Sequence, residues 1–157
     1  FVDENTEIQL AAWNSLNNLM QIIPESDLPS HIDWFRQCIN NIIRSNPRLT
    51  EIPAFCIKQG LKPIIGMFDF GIRNGSFEER TNAAKLMMDL IPLTNMDAVK
   101  PFLNKIAGAL IRICADRFPS TVKCAILQTL SLLIRKYGPL MKGFYTPLQT
   151  TFVKVIH

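Results

Sequence analysis

Apolar residues recur at every fourth position in four separate stretches of this sequence. Each stretch begins with an aromatic residue or isoleucine and continues with two more apolar residues at the same interval. The four sets are Phe35-Ile39-Ile43, Ile64-Phe68-Ile72, Phe102-Ile106-Leu110 and Phe144-Leu148-Phe152. This spacing places each set on one face of an α-helix, and no sustained period-two alternation indicates a strand. The pattern therefore predicts an all-α protein in which one type of helix recurs.

A second apolar pattern alternates with the first. Its copies are Ala12-Leu16-Leu19, Ala83-Met87-Leu90 and Ile126-Leu130-Leu133. Three copies of the first pattern are led by Lys62-Pro63, Lys100-Pro101 and Lys142-Gly143, which are spaced 38 and then 42 residues apart. That interval is the length of a HEAT-type helical pair. Because such a pair cannot bury its apolar residues alone, we predict an α-solenoid of about three to four stacked pairs.

The spacing and the intervening Gly and Pro residues predict seven helices. They cover residues 4–22, 30–45, 61–73, 77–91, 97–115, 120–136 and 140–156. The segment 46–60 supports at most a short helix, because Pro47 and Pro53 interrupt it.

The helices group into a single domain of consecutive repeats. If helices of the first pattern are called A and those of the second B, the predicted order is B, A-B, A-B, A-B, A. The predicted repeats are a partial one at 1–25, an irregular one at 30–60, regular ones at 61–92 and 97–138, and a partial one at 139–157. Since the chain begins with Phe1 rather than Met and both ends are half repeats, we expect a solenoid truncated at both ends.

Several predicted helix ends have a local cause. Ser76 and Glu79 fit a capping box before the helix at 77–91. The stretch Thr94-Asn95-Met96-Asp97 places a cap candidate before the next helix and an acid in its first turn. Pro119 suits a first helical turn, and Gly138 suits the residue just after a helix.

Composition excludes several classes of protein. The chain has 157 residues, is 48% hydrophobic and carries a formal net charge of +4, which is typical of a folded domain rather than a disordered one. Charged residues interrupt the long apolar runs, so we expect no membrane-spanning helix. The four cysteines, which lack CxxC spacing, predict reduced thiols in a cytoplasmic or nuclear protein: Cys38, Cys56, Cys114 and Cys124.

Patterns typical of enzymes and metal sites are absent from the sequence. The two histidines, His31 and His157, lie far apart along the chain. Glycine-rich nucleotide motifs and the hydrolase GxSxG motif do not occur. We therefore expect no enzymatic activity, no metal and no cofactor.

A protein-binding surface is the remaining kind of site. On the helix at 30–45, Phe35 and Ile39 belong to the inward face, whereas Arg36, Asn40 and Arg44 lie opposite and Arg48 continues their line. This stripe is either a solvated face or a dock for carboxylates, which the arginine fork pairs at two points.

Phe70 lies nearly opposite Phe68 on its helix. An outward aromatic residue on a solenoid is either a contact between repeats or a binding anchor. Phe68, Phe102 and Ile106 are predicted core residues that set the shape of the surface.

The last third of the chain resembles a known family. Residues 116–127 (DRFPSTVKCAIL) have the turn acid, proline and Val-Lys of a HEAT repeat, and Gly138-Pro139-Leu140 and the stretch 147–154 (PLQTTFVK) follow. Together they resemble the general-control-nonderepressible translational activators, which are giant ribosome-associated HEAT scaffolds. The resemblance covers roughly residues 76–157 well and 1–75 more loosely.

The resemblance implies a position in the C-terminal region of that family, which binds the RWD domain of the initiation-factor-2 alpha-subunit kinase. The chain would then be an adaptor that holds the kinase at stalled ribosomes during amino-acid starvation. The family has no catalytic motif to carry over, so the partner-binding residues above come from helix geometry alone. Two alternatives stay open: a structural spacer without its own partner, and a surface that contacts the ribosome or RNA. Direct nucleic-acid binding is disfavoured, because Lys and Arg are not interleaved with exposed aromatic residues along one groove.

Overall fold

The computed structural model describes residues 5–156, and within this range the chain is helical without a strand. The α-helices are α1 (Thr6–Ile22), α2 (Ile32–Ser45), α3 (Lys58–Asn74), α4 (Phe77–Leu90), α5 (Met96–Val99), α6 (Leu103–Ala115), α7 (Ser120–Tyr137) and α8 (Tyr145–Ile156). Short 3₁₀ segments lie at Leu28–His31, Pro53–Cys56, Ile91–Leu93, Lys100–Phe102 and Gly138–Phe144. The first residue of the helix predicted at 4–22 and His157 lie outside the described residues.

The helices stack in two layers, which confirms the predicted HEAT-type solenoid. In the outer layer α1 packs on α3, α3 on α6, and α6 on α8. In the inner layer α2 packs on α4 and α4 on α7. The pairs α3–α4 and α6–α7 join the two layers, so each helix buries its apolar side against the next repeat.

The order of the first helices differs from the prediction. The structure places α2 in the inner layer with α4 and α7, and α1 in the outer layer, so the order is A-B, A-B, A-B, A. The predicted partner of α2 near 49–59 is only the 3₁₀ turn Pro53–Cys56. The four-residue spacing occurs on any amphipathic helix, so it cannot by itself assign a helix to a layer.

Hydrogen bonds across the inner layer show its repeat length. Thr129 Oγ1 donates to the Ala84 carbonyl at 2.9 Å, and Lys136 Nζ donates to the Ile91 carbonyl at 2.6 Å, each across 45 residues. Equivalent points of α4 and α7 therefore lie beside each other, so these helices run parallel, one repeat apart.

The irregular segment between α2 and α3 closes one end of the core. Ile52 N–H donates to the Leu93 carbonyl at 3.0 Å, and Asn95 Nδ2 donates to the Cys56 carbonyl at 3.4 Å. Ile52 and Phe55 are buried. The segment is thus fixed to the turn after α4 although it forms no α-helix.

Prolines move three helix starts away from the predicted positions. α3 begins at Lys58, so Pro63 lies inside the helix and cannot donate to the Gln59 carbonyl. The Trp13 indole N–H donates to that carbonyl instead, at 2.9 Å. Pro101 separates α5 from α6 in the predicted helix 97–115, and a 3₁₀ segment precedes α8, which starts at Tyr145.

The predicted caps occupy the expected positions. Ser76 N–H donates to Glu79 Oε2 at 2.7 Å, and Glu79 N–H donates to Ser76 Oγ at 3.3 Å, which completes the capping box. Asn95 Oδ1 accepts from the Ala98 N–H at 3.0 Å at the start of α5. Both motifs satisfy amides that the first helical turn leaves free.

The core runs along the interface of the two layers. Of the residues predicted to shape the surface from within, Phe35, Ile39, Phe68 and Ile106 are buried. Phe102 is half-buried and packs against that core from the 3₁₀ turn before α6.

Candidate functional site

The basic stripe predicted on α2 is only partly available at the surface. Arg36 Nε donates to Asp89 Oδ2 at 2.7 Å, and Arg36 Nη1 donates to Asn82 Oδ1 at 3.3 Å. The side chains of Arg36 and Asp89 are 17% and 20% exposed. Contrary to the expectation that Arg36 faces a partner, it joins two inner-layer helices, because this side of α2 packs on α4.

The other predicted site residues lie in different surroundings. Asn40 on α2 and Phe70 on α3 are half-buried, whereas Arg44 and Arg48 are exposed. Neither Arg44 nor Arg48 forms an ion pair with another described residue. These two arginines at the end of α2 remain the accessible part of the stripe.

A second basic site lies where the chain turns from the outer to the inner layer in two successive repeats. A cavity of about 340 Å³ opens there between the ends of α3 and α6, the start of α4 and the turn before α7. Its lining includes Arg73, Arg80, Arg112, Asp116 and Phe118. Because three arginines accompany one acid, this arginine pocket favours an anionic group.

Arg80 makes one wall of the arginine pocket rigid. Its guanidinium donates to the Ile72 carbonyl and, at 2.6 Å, to the Arg73 carbonyl, both at the end of α3. The same group lies over the Phe118 ring, 4.7 Å from its centroid. Burial lowers the pKa of Arg80, and the nearby Asp116 carboxylate partly offsets this. Arg80 therefore caps α3 and holds the turn before α7 against it.

Arg112 is the least restrained cation of the arginine pocket. It is exposed, near the end of α6, and forms no ion pair with any described residue. Arg73, in contrast, pairs with Asp69 at 2.7 Å on its own helix. A guanidinium that is free to pair beside a rigid wall is suited to bind a carboxylate at two points.

An aromatic pair borders the arginine pocket. The Phe77 and Phe118 rings meet edge to face, with centroids 6.0 Å apart and an interplanar angle of 81°. Phe77 is 57% exposed at the start of α4. Arginine next to partly exposed aromatic residues is the composition that protein-binding hot spots favour.

A polar cluster at the opposite edge of the solenoid holds loops together. Lys136 Nζ donates to the carbonyls of Ile91 and Thr94, each at 2.6 Å, and Tyr137 Oη lies 2.8 Å from Thr94 Oγ1. Burial raises the pKa of the nearby Cys56 thiol to about 11, and a hydrogen bond to Glu51 adds to the rise. Burial also lowers the pKa of Lys136. These bonds are consistent with an anchoring role.

Two other kinds of site were searched for in the part of the chain that the structure describes. No group of three or more His, Cys, Asp or Glu side chains in residues 5–156 is placed to hold a metal ion. None of the helices in this range is both long and apolar enough to cross a membrane.

The arginine pocket is missed by a helix-by-helix analysis of the sequence, because its arginines come from α3, α4 and α6. One signal was present. The stretch Asp116-Arg117-Phe118-Pro119 marks a turn between repeats, and Arg73 and Arg112 each lie close to such a turn. Superposing the turns of successive repeats, rather than the helices, would have brought these residues together.

Known proteins match this chain over almost its entire length. The family model described as "Stalled ribosome sensor GCN1-like, HEAT repeats" matches residues 1–59. Protein ILITYHIA of Arabidopsis thaliana is 37% identical over 159 residues, which cover 98% of this chain and 6% of that protein. Stalled ribosome sensor GCN1 of Homo sapiens is 35% identical over 157 residues, which cover 99% and 6%.

A fungal relative also matches nearly the whole chain. The eIF-2-alpha kinase activator GCN1 of Saccharomyces cerevisiae is 30% identical over 152 residues, which cover 97% of this chain and 6% of that protein. No solved structure matches the chain. The chain thus spans about 6% of the length of these relatives. The two layers of helical repeats, the family-model match and these identities agree. The chain belongs, as a segment, to the GCN1-like HEAT-repeat family.

Proposed function

We propose that this chain is an adaptor module that binds the RWD domain of the initiation-factor-2 alpha-subunit kinase. In the cytoplasm it would link the kinase to stalled ribosomes, which other regions of a longer protein contact, so that the kinase is activated in amino-acid starvation. The names of two relatives, a stalled ribosome sensor and an eIF-2-alpha kinase activator, support this proposal.

The arginine pocket is the observation that carries the proposal. It is preformed, since Arg80 is bonded to α3 and stacked on Phe118. It presents Arg112 without an ion pair to a described residue, beside exposed Phe77. We infer that a carboxylate of the RWD domain enters the pocket and pairs with Arg112, while an apolar neighbour packs on the aromatic pair. No bound nucleotide, metal or covalent step is required.

The test measures the affinity of the purified chain for the kinase RWD domain by titration calorimetry. Arg112→Glu is expected to weaken binding by roughly 30-fold, the equivalent of a hot-spot loss of about 2 kcal/mol. Arg117→Glu is the matched control, because Arg117 is exposed in the turn directly after α6, carries the same charge as Arg112 and does not line the pocket. Circular dichroism melting checks that both variants fold.

A third variant separates the pocket from the accessible part of the α2 stripe. If Arg44→Glu combined with Arg48→Glu weakens binding and Arg112→Glu does not, the kinase docks at the end of α2, and Asn40 and Phe70 become the next residues to test. If neither variant changes the affinity and wild-type binding is measurable, the charge-based proposal fails at both surfaces.

One observation favours the alternative function of a structural spacer. An apolar cleft of about 410 Å³ lies between α1, α2 and α3, and Trp34 at its border is 64% exposed. Such a cleft is typical of a solenoid surface on which another repeat stacks. A spacer predicts that the RWD domain protects no amide of the folded chain from hydrogen exchange. The adaptor predicts protection around the arginine pocket.

A further inference from the structure

One edge of the solenoid carries an excess of positively charged side chains. At this edge the outer-layer helices α3, α6 and α8 begin and the inner-layer helices α2, α4 and α7 end. The bonds from Lys136 to residues 91 and 94, and from Asn95 to Cys56, show that these turns lie together. We call this surface the basic edge.

At the basic edge cations outnumber acids. Its eight cations are Arg44, Arg48, Lys58, Lys62, Lys100, Arg135, Lys136 and Lys142, whereas the acids in the same turns and helix ends are Glu7, Glu51, Asp89 and Asp97. At the opposite edge the two signs balance. The acids there are Glu25, Asp27, Asp33, Glu78, Glu79 and Asp116, and the cations are Arg73, Arg80, Arg112, Arg117, Lys123 and Lys154. The net charge of +4 is therefore distributed unevenly, with the excess of cations at the basic edge.

Helix stability accounts for Lys100, the C-cap of α5, and for Lys136 in the last turn of α7, but not for Lys58 and Lys142. Lys58 is the first residue of α3, and Lys100 and Lys142 lie in the 3₁₀ turns that lead into α6 and α8. A cation at a helix N-terminus is unfavourable, because the helix dipole is positive there. The first turns of α3, α6 and α8 contain no acid to compensate. An external anion would interact favourably with both the lysines and the dipoles.

The spacing of these lysines follows the repeat. Lys62, Lys100 and Lys142 are equivalent in the sequence repeat, each two residues before the first apolar residue of its set, and all three are exposed. None forms an ion pair with a described residue. Packed helix axes are about 10 Å apart, so the three side chains span about 20 Å, or roughly six base-pair steps of a duplex.

We propose that the basic edge binds the phosphate backbone of a nucleic-acid duplex. A regular, lysine-dominated row fits a uniform polyanion better than the discrete acids of a folded protein, for which the bidentate arginine fork is the better partner. Backbone contacts position a duplex without reading its sequence. This is compatible with the absence from the sequence of the interleaved aromatic pattern that predicts base recognition. The proposal is distinct from kinase binding at the arginine pocket, which lies at the opposite edge.

The test follows binding of a fluorescent RNA duplex of about 16 base pairs by anisotropy over a series of salt concentrations. The wild-type chain is expected to bind with a steep dependence of log K on log salt. The variant Lys62→Gln, Lys100→Gln, Lys142→Gln is expected to weaken binding at least about tenfold at about 0.1 M salt and to reduce the slope by about 3. A DNA duplex of equal length, measured in parallel, shows whether the source of the phosphates matters.

The matched control carries Arg117→Gln, Lys123→Gln and Lys154→Gln at the opposite edge, which removes the same amount of charge. It is expected to bind like the wild type, and so is Arg112→Glu. If the two triple variants lose affinity equally, the attraction is a general charge effect and the basic edge is not a site. Absence of duplex binding at low salt, or equally effective competition by polyglutamate, also overturns the proposal. The latter result would assign the edge to an acidic protein.

Discussion

Among the described glycines, Gly60 leaves the least room for a side chain, which supports a quantitative prediction. A Cβ atom at this position would lie 1.7 Å from the Ala54 carbonyl oxygen and 3.1 Å from Ile57 Cγ1. No described glycine has a positive φ angle, so the cost of Gly60→Ala is a steric clash and not a forbidden conformation. Because Ile52, Ala54 and Phe55 are buried, neither the 3₁₀ turn nor the start of α3 can move freely.

The magnitude follows from the size of the clash. Overpacking a rigid core costs about 1–3 kcal/mol and sometimes more, and here the obstacle is backbone. We therefore expect Gly60→Ala to lower the free energy of unfolding by at least about 3 kcal/mol, out of the roughly 5–15 kcal/mol typical of a domain. Gly108→Ala is the matched control. Nothing lies within 4 Å of its added Cβ, and alanine in a helix is expected to stabilise α6 by about 0.5–1 kcal/mol.

Urea denaturation followed by far-ultraviolet circular dichroism measures both variants. The two free energies of unfolding should differ by about 4 kcal/mol, with similar m-values. If Gly60→Ala unfolds within about 0.5 kcal/mol of Gly108→Ala, the turn at 53–56 does not pack against the start of α3. The irregular segment would then be a loose loop, and its proposed role in closing the core would be wrong.

Two further predictions concern side chains whose surroundings the structure defines. Burial raises the pKa of the half-buried Cys56 thiol to about 11. At pH ~8.5, the pKa of a free thiol, iodoacetamide should therefore alkylate Cys56 much more slowly than exposed Cys124. Peptide mass spectrometry measures both rates, and equal rates would contradict the partial burial of Cys56. As for the Arg36–Asp89 pair, a double-mutant cycle with Arg36→Met and Asp89→Asn is expected to give a coupling energy of about 0.5–2 kcal/mol in thermal or urea unfolding. A coupling near zero would return Arg36 to the set of residues that are free to meet a partner.

The sequence was sufficient for features that depend on neighbouring residues. The four-residue apolar spacing correctly indicated the helical class of the chain, although Phe102 and Phe144 lie in 3₁₀ turns, and the capping box at Ser76 and Glu79 formed as its local chemistry predicts. The helix start at Lys58 was missed, because the position of a proline within a helix depends on which distant group satisfies the carbonyl it leaves. For Pro63 that group is Trp13, 46 residues away from Gln59.

Features that depend on contacts between repeats were beyond the sequence pattern. The helical wheel of α2 places Arg36 at the border of the apolar face, about 100° from Phe35 and about 60° from Ile39, but it cannot show that α4 covers that side with Asp89. The arginine pocket likewise combines three helices whose register is set by the turns. A single sequence therefore predicts the periodicity of each helix well, but it does not predict which helix packs on each face.

The bond from Trp13 to the Gln59 carbonyl also determines how α1 is positioned. Packing between two apolar helix faces is tolerant of sliding, because one turn of a helix resembles the next. A directional hydrogen bond to one carbonyl, whose helical donor a proline has removed, does not tolerate such sliding. A shift of one turn, about 5.4 Å, would carry the indole away from its acceptor. The bond thereby fixes the position of α1 along its own axis relative to α3.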